Sequence, residues 1–155
     1  MLFRAIVALL ALPGVVAIAL PVTIGIHASY RPRYVPLAIA LLVSGTFLLL
    51  WCVREFYVCG RGTLAPWAPP QRLVTTGPYR FSRNPMYLGA ITILLGWSAL
   101  WASLVLVAYA GAVLCAFHLR VLLSEEPWAL RQFGAEWREY AARVPRWLMR
   151  FTQSS

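Results

Sequence analysis

Residues 77–89 read GPYRFSRNPMYLG, a basic and proline-punctuated stretch between two long apolar runs. Pro85 suits the first turn of a helix, because the N–H group that proline lacks has no partner there in any case. Asn84 directly before it is a favourable N-cap residue. We therefore predict that a helix begins at Pro85 and directs the N–H groups of Met86 and Tyr87 into the loop. Such an end suits a carboxylate or other polar ligand atom; the alternative is a basic loop at a membrane edge.

The composition indicates an integral membrane protein. The 155 residues are 61% hydrophobic and 12% charged, with a mean hydropathy of +0.69. Soluble domains are typically about 45–50% apolar and about 25% charged. The net charge of +9 comes entirely from arginine and glutamate. The arginines flank apolar runs instead of forming a solvated stripe, which favours anionic lipid headgroups over nucleic acid as the partner. We expect one domain over residues 1–155.

The three cysteines predict neither a disulfide framework nor a metal site. Cys52, Cys59 and Cys115 form no C-x-x-C pair and have no histidine at ligand spacing. An odd and dispersed set of this kind is typical of packing thiols. We therefore expect no metal.

Hydropathy predicts an all-α membrane fold with about four transmembrane helices, each close to the ~20 residues that a span requires. The apolar runs are Ala5–Leu20, Pro36–Val53, Met86–Trp101 and Ser103–Leu123. A signal peptide is the alternative for the first run. The last two runs are joined without any charged residue, which predicts a tight helical hairpin. Residues 56–76, rich in Gly and Pro, form a loop, and Glu125–Pro145 forms an interfacial amphipathic helix.

Arginine distribution predicts the orientation. Arginines are frequent between spans two and three and again after span four, whereas the first loop has only Arg31 and Arg33. The positive-inside rule then places both termini and both rich segments in the cytoplasm. We therefore expect the central loop, defined as residues 54–85 between spans two and three, to meet the C-terminal segment.

Several polar and aromatic side chains converge at this predicted interface. Glu125 and Glu126 follow span four, and an ionisable group at membrane depth is a functional candidate, although simple solvation is the alternative. Adjacent helical residues point about 100° apart, so we predict that only one of the two glutamates faces a site. His118 shares the helix face of Glu125 at i, i+7, which favours Glu125. Aromatic residues at the same level would suit a cationic group or form an ordinary aromatic belt: Trp67, Tyr79, Tyr87, Trp128 and Trp137.

An ordered set of motifs identifies a family resemblance. The set comprises Gly62–Pro66, Pro70–Val74, Gly77–Arg80, Arg83–Gly89, Glu125–Glu126, Phe133–Gly134, Tyr140 and Val144–Pro145. Together these strongly resemble the isoprenylcysteine carboxyl methyltransferase family, within the wider superfamily that includes phospholipid methyltransferases. The resemblance covers about residues 62–148.

The resemblance implies a membrane methyltransferase that uses S-adenosylmethionine. Carried over by motif, the cofactor-binding residues are Gln71, Arg72, Leu73, Val74, Tyr79, Asn84, Pro85, Met86, Tyr87 and Glu125. Arg120 and His118 are candidate substrate contacts, and no catalytic residue is assigned. The family's eukaryotic members have histidine where Asn84 stands, and an arginine at the position of Val121. In this chain the nearest arginine is Arg120, one residue earlier. On an ideal helix, this difference of one residue moves the guanidinium about 100° around the axis.

Methyl transfer to a membrane-dissolved, amphiphilic acceptor is the predicted function. A carboxylate, as in the isoprenylcysteine-type O-methylation that the resemblance implies, is the first choice of acceptor. It requires no general base, which suits a chain without Asp or Lys and with two histidines. N-methylation of a phospholipid or other lipid amine is the alternative, and a non-catalytic scaffold or sensor with the same fold is another. We expect the bacterial inner membrane as the location, with membrane lipids as partners.

Overall fold

The computed structural model describes residues 21–23, 33–60 and 70–147, and four α-helices account for most of them. These are α1 (Val35–Val58), α2 (Pro85–Leu100), α3 (Leu104–Arg120) and α4 (Glu126–Arg143). A 3₁₀ helix (Gly77–Arg80) precedes α2, and a π-helical turn (Val121–Glu125) joins α3 to α4. The described residues contain no strand, so the all-helical prediction holds for them. The predicted span Ala5–Leu20 and the motif at 62–66 lie outside the described residues.

Helix α1 is longer than the sequence predicted. It begins at Val35, with proline in its first turn, and it continues past Arg54 and Glu55 to Val58. The predicted span Pro36–Val53 lies wholly within α1, and the helix extends five residues beyond it. Glu55 is only 6% exposed, yet its carboxylate accepts a hydrogen bond from Thr76 and pairs with Arg54. The helix tolerates a buried charge here because the charge is satisfied.

Helices α1 and α2 pack at very short range through two glycines. A Cβ atom on Gly45 would lie 2.8 Å from the Gly89 carbonyl oxygen, and one on Gly89 would lie 3.0 Å from that of Gly45. Small residues at a helix crossing allow backbones to approach this closely, as is common in membranes. Beside the crossing, Leu49 and Ile93 form a buried contact.

Helices α2 and α3 form the predicted hairpin. The turn lies at Trp101 and Ala102, where Ala102 adopts a φ of 45°. Ser103 caps α3, because its Oγ accepts a hydrogen bond from the N–H group of Leu106 at 3.4 Å. The start of α2 at Pro85 is confirmed as well.

Two described helical segments are long and apolar enough to span a membrane: α1 and the continuous segment Leu104–Arg143. Large apolar side chains lie exposed on both, including Phe47 at 64% and Leu104 at 83%. Lipid accommodates such faces, whereas water does not. Helix α2 is apolar but has only 16 residues. The four-span count and the orientation stay predictions.

The C-terminal part of the chain returns to the central loop, as predicted. Helix α4 deviates from helical geometry at Gly134 and ends at Arg143, shortly before Pro145. The carbonyl oxygen of Pro145 then accepts a hydrogen bond from the N–H group of Arg83 at 2.9 Å. The Tyr140 hydroxyl donates to the Tyr79 carbonyl oxygen at 2.8 Å. Segment 70–76 also joins this assembly, since Val74 is buried against Tyr79.

Candidate functional site

A cavity of about 490 Å³ lies where the central loop, the π-helical turn and α4 meet. Small-molecule sites commonly have ~300–1,000 Å³. The lining combines two carboxylates, four guanidinium groups and seven aromatic side chains: Glu125, Glu126, Arg72, Arg83, Arg120, Arg131, Phe56, Tyr79, Tyr87, Trp128, Phe133, Trp137 and Tyr140. Such a lining offers charged partners and an apolar wall to the same ligand.

Glu125 is held on the cavity wall by two donors. The Tyr87 hydroxyl and the Arg120 Nε both donate to its Oε1 oxygen, the latter at 2.8 Å. Tyr87 is fixed in turn by stacking on Phe117, with ring centroids 4.2 Å apart. The Glu125 side chain remains 34% exposed, so the carboxylate is oriented but still accessible.

The π-helical turn explains why Arg120 reaches Glu125. The N–H group of Glu126 donates to the Val121 carbonyl oxygen, an i to i+5 bond that gives this turn one residue more than an α-helical turn. Arg120 is likewise five residues from Glu125. On an ideal α-helix Arg120 would lie about 100° from the position of Val121, but the wider turn allows its Nε to reach the Glu125 carboxylate. Both Arg120 and Val121 line the cavity.

Glu126 also lines the cavity, so the prediction that only one glutamate faces it is wrong. Its Oε1 accepts from Arg83 and from Arg146, and its Oε2 accepts from Arg146, each at 2.8 Å. Both glutamates line the cavity because it extends along two neighbouring elements. Glu125 contacts Tyr87 of α2, and Glu126 contacts Arg83 of the central loop. The hydrogen bonds from Arg146 to Glu126 raise the pKa of the Arg146 guanidinium. The Glu126 side chain is only 18% exposed.

Asn84 occupies the N-cap position of α2, but its side chain does not cap the helix. Its Nδ2 donates instead to the Arg146 carbonyl oxygen at 3.0 Å. The Ser82 hydroxyl donates to the same oxygen at 3.2 Å. The expected cap is therefore replaced by a link between the central loop and the C-terminal segment.

Tyr79 forms a buried part of the cavity wall. It is 5% exposed and meets Phe56 edge to face, with ring centroids 5.4 Å apart. Burial raises the pKa of its phenol well above the usual range, so the hydroxyl stays protonated. Elsewhere in the lining, the Arg83 guanidinium lies 5.8 Å from the centre of the Trp137 ring.

Most of the residues assigned by the resemblance meet in this cavity. Eight of the ten proposed cofactor contacts line it: Arg72, Leu73, Val74, Tyr79, Asn84, Met86, Tyr87 and Glu125. Gln71 and Pro85 do not; Gln71 is exposed and Pro85 is buried within the start of α2. His118 is also absent from the lining, and its Nδ1 accepts a hydrogen bond from the Trp147 indole at 3.1 Å. Trp67 lies outside the described residues.

The lining residues that sequence reasoning did not assign to the site include several with charged or aromatic side chains: Phe56, Arg83, Glu126, Arg131, Phe133 and Tyr140. Two signals were available. Arg83 directly precedes Asn84 within the central motif, and Phe133 and Tyr140 are spaced i, i+7 on the amphipathic helix. Among the described residues, no group of three or more His, Cys, Asp or Glu side chains is arranged to hold a metal ion.

The described residues form a helical protein with apolar, membrane-type helices and a cavity lined by charged and aromatic side chains. A sequence model of the family described as phospholipid methyltransferase matches residues 34–136. This chain belongs to that family, which is one of membrane methyltransferases. The wider resemblance found in the motifs is thereby confirmed; membership of its isoprenylcysteine branch stays a prediction.

Two curated relatives are similar to part of the chain. The nickel-cobalt-cadmium resistance protein NccN of Alcaligenes xylosoxydans xylosoxydans is 31% identical over 103 residues, covering 66% of this chain and 44% of that protein. The cobalt-zinc-cadmium resistance protein CzcN of Cupriavidus metallidurans is 30% identical over 121 residues, covering 76% and 51%. The chain thus spans about half the length of these relatives. No solved structure matches.

Proposed function

We propose that this protein binds S-adenosylmethionine in the cavity and transfers its methyl group to an amphiphilic acceptor dissolved in the membrane. The observation that carries the proposal is that Tyr79, Asn84, Tyr87 and Glu125, which come from three separate motifs of the family resemblance, line one cavity. A packing role alone does not require them to share a ligand-sized space.

The chemistry of the lining fits the cofactor. S-adenosylmethionine has a carboxylate, an ammonium group, ribose hydroxyls, an aromatic base and a sulfonium centre. The cavity has guanidinium groups for the carboxylate, carboxylates for the cations and hydroxyls, and aromatic faces for the base and sulfonium. When bound, this cofactor supplies a methyl group on a good leaving group, which a nucleophilic oxygen or nitrogen can take in one displacement.

The residues of the chain then act by binding and orientation. Glu125, held by Tyr87 and Arg120, accepts hydrogen bonds from the ligand without having to reorganise. Glu126 holds Arg83 and Arg146, and so keeps the central loop and the C-terminal segment together around the cavity. The aromatic wall excludes water. Holding two reactants in line is the main requirement of such a displacement.

A carboxylate is the preferred acceptor. Arg72, Arg120 and Arg131 line the cavity and are exposed, so they offer positive charge at its accessible side. The exposed Leu119 and Leu123 beside Arg120 suit an apolar tail. A lipid amine is the second candidate, because the family is described as phospholipid methyltransferase and Glu125 offers a partner for a cation.

Methyl incorporation tests the function and separates the two acceptors. Purified protein in detergent is incubated with a lipid extract and with S-adenosylmethionine labelled in its methyl group. A methyl ester releases its label as methanol on mild alkaline treatment, whereas an N-methyl group keeps it. We expect alkali-labile label with the wild-type protein and little label with Glu125→Gln. The matched control is Glu139→Gln, which alters a glutamate that is 73% exposed. Failure of the wild-type protein both to bind the cofactor and to incorporate label would reject the proposal in favour of a non-catalytic scaffold.

A further inference from the structure

We propose that Glu55, which lies outside the cavity, is a positioning residue that fixes the Tyr79 wall of the cavity through Thr76 and Gly77. The expected effect of Glu55 on cofactor binding rests on the proposed function. The structural part of the proposal, the control of the loop by Glu55, is independent of any ligand.

Glu55 is a buried carboxylate that no part of the cavity chemistry uses. It is 6% exposed near the end of α1, and it is not part of the cavity lining. Burying a charge is unfavourable unless hydrogen bonds or an opposite charge compensate for it. Solvated glutamate or an apolar residue would serve a plain helix end equally well, so the buried position indicates that the carboxylate holds something.

The contacts of Glu55 converge on the residues just before the 3₁₀ helix. The Thr76 hydroxyl donates to its Oε2 at 2.6 Å, and the Cys59 thiol lies 3.5 Å from the same oxygen. Arg54 donates to Oε1 at 3.0 Å. The carboxylate is thereby fixed on both oxygens, with Thr76 as its partner from a distant part of the chain.

Gly77 packs directly against the Glu55 side chain. Its φ of +56° favours glycine, and a Cβ atom there would lie 2.9 Å from both Cγ and Cδ of Glu55. The loop backbone therefore rests directly on the glutamate side chain. Any longer residue at this position would push the loop away from α1.

The loop transmits this position to the cavity within two residues. The N–H group of Tyr79 donates to the Thr76 carbonyl oxygen at 3.1 Å, which closes the 3₁₀ turn. Tyr79 is thereby held in the cavity wall, and its carbonyl oxygen accepts from Tyr140, another wall residue. Glu55 thus sets the place of Tyr79 without touching a ligand.

Threonine variants test this while leaving the glutamate in place. Thr76→Val removes the hydroxyl at nearly the same side-chain volume, whereas Thr76→Ser keeps a hydroxyl. Glu55→Gln tests the glutamate itself, and Glu139→Gln is the surface control. The first measurement is the rate of trypsin cleavage of folded protein after Arg72 and Arg80, relative to Arg138 on α4, since all three side chains are exposed. We expect the ratio to rise about five-fold or more in Thr76→Val and to stay near the wild-type value in Thr76→Ser, because only the former loses a hydrogen bond to a charged group. A general loss of stability would instead raise cleavage at all three sites and leave the ratio unchanged.

The second measurement is the dissociation constant for S-adenosylmethionine in the same detergent. We expect Thr76→Val and Glu55→Gln to weaken binding about ten-fold, and Thr76→Ser to restore it. Equal cleavage ratios in Thr76→Val and Thr76→Ser would overturn the inference. Wild-type affinity in Thr76→Val would overturn it as well. If the wild-type protein binds no cofactor, the proposed function fails, and the cleavage ratio alone decides whether Glu55 positions the loop.

Discussion

Of the two glutamates in the cavity wall, Glu126 is the one whose replacement should lower stability more. Its carboxylate accepts three hydrogen bonds of 2.8 Å from Arg83 and Arg146, and its side chain is 18% exposed. In Glu126→Gln, the amide can still accept through one oxygen, but its NH₂ group faces a guanidinium donor. The variant therefore loses at least one charge-assisted hydrogen bond and leaves a half-buried cation with less compensation.

The expected cost follows from these contacts. A hydrogen bond to a charged group contributes about 1.5–3 kcal/mol, so Glu126→Gln should lower the free energy of unfolding by about 2 kcal/mol. For a chain of this length, this corresponds to a fall in midpoint temperature of about 4–8 °C. Thermal unfolding in one detergent measures it, with Glu139→Gln as the control: the Glu139–Arg143 pair is exposed and should contribute about 0.5 kcal/mol or less. Equal shifts in the two variants would refute the reasoning about Glu126.

Three further predictions concern the loop and the orientation. Gly77→Ala should lower the midpoint temperature of unfolding, because alanine is strained at a φ of +56° and its Cβ would clash with Glu55. We expect the free energy of unfolding to fall by ~1–3 kcal/mol, and an unchanged midpoint would contradict this. Asn84→Ala should lower stability by ~1 kcal/mol through loss of the bond to the Arg146 carbonyl oxygen, and should weaken cofactor binding; wild-type affinity would remove Asn84 from the site. Cysteine introduced at Ala102, an exposed residue of the turn between α2 and α3, should react with an impermeant reagent from outside the cell, and cysteine at Arg72 only after permeabilisation. Protection at Ala102 would reject the four-span orientation.

Local signals in the sequence predicted the parts of the fold that depend on neighbouring residues. Pro85 marked the start of α2, and the uncharged join near Ser103 marked the hairpin. Both features are set by residues adjacent in the chain, because proline restricts the backbone at its own position and a short polar residue caps the helix it precedes.

Features that depend on distant partners were not predictable in this way. Asn84 looked like a cap, but its partner is the Arg146 carbonyl oxygen, 62 residues away. The predicted span stops at Val53, but α1 continues through Arg54 and Glu55, and Thr76 satisfies the Glu55 carboxylate from 21 residues further along the chain. The π-helical turn has no compositional marker, so the register between Arg120 and Glu125 followed only from the coordinates.

The role of Glu125 in cofactor binding is the central claim, and calorimetric titration with S-adenosylmethionine tests it most directly. Wild-type protein, Glu125→Gln and the surface control Glu139→Gln are titrated in the same detergent, after thermal unfolding has shown that all three are folded. Glu125 is 34% exposed and pairs with Arg120, itself 50% exposed, so its loss should affect stability less than that of Glu126. We predict that the wild type and Glu139→Gln bind equally and that Glu125→Gln binds about ten- to a hundred-fold more weakly, which corresponds to one lost charged hydrogen bond. Absence of binding by the folded wild-type protein, or equal affinity of Glu125→Gln and the wild type, would contradict the claim.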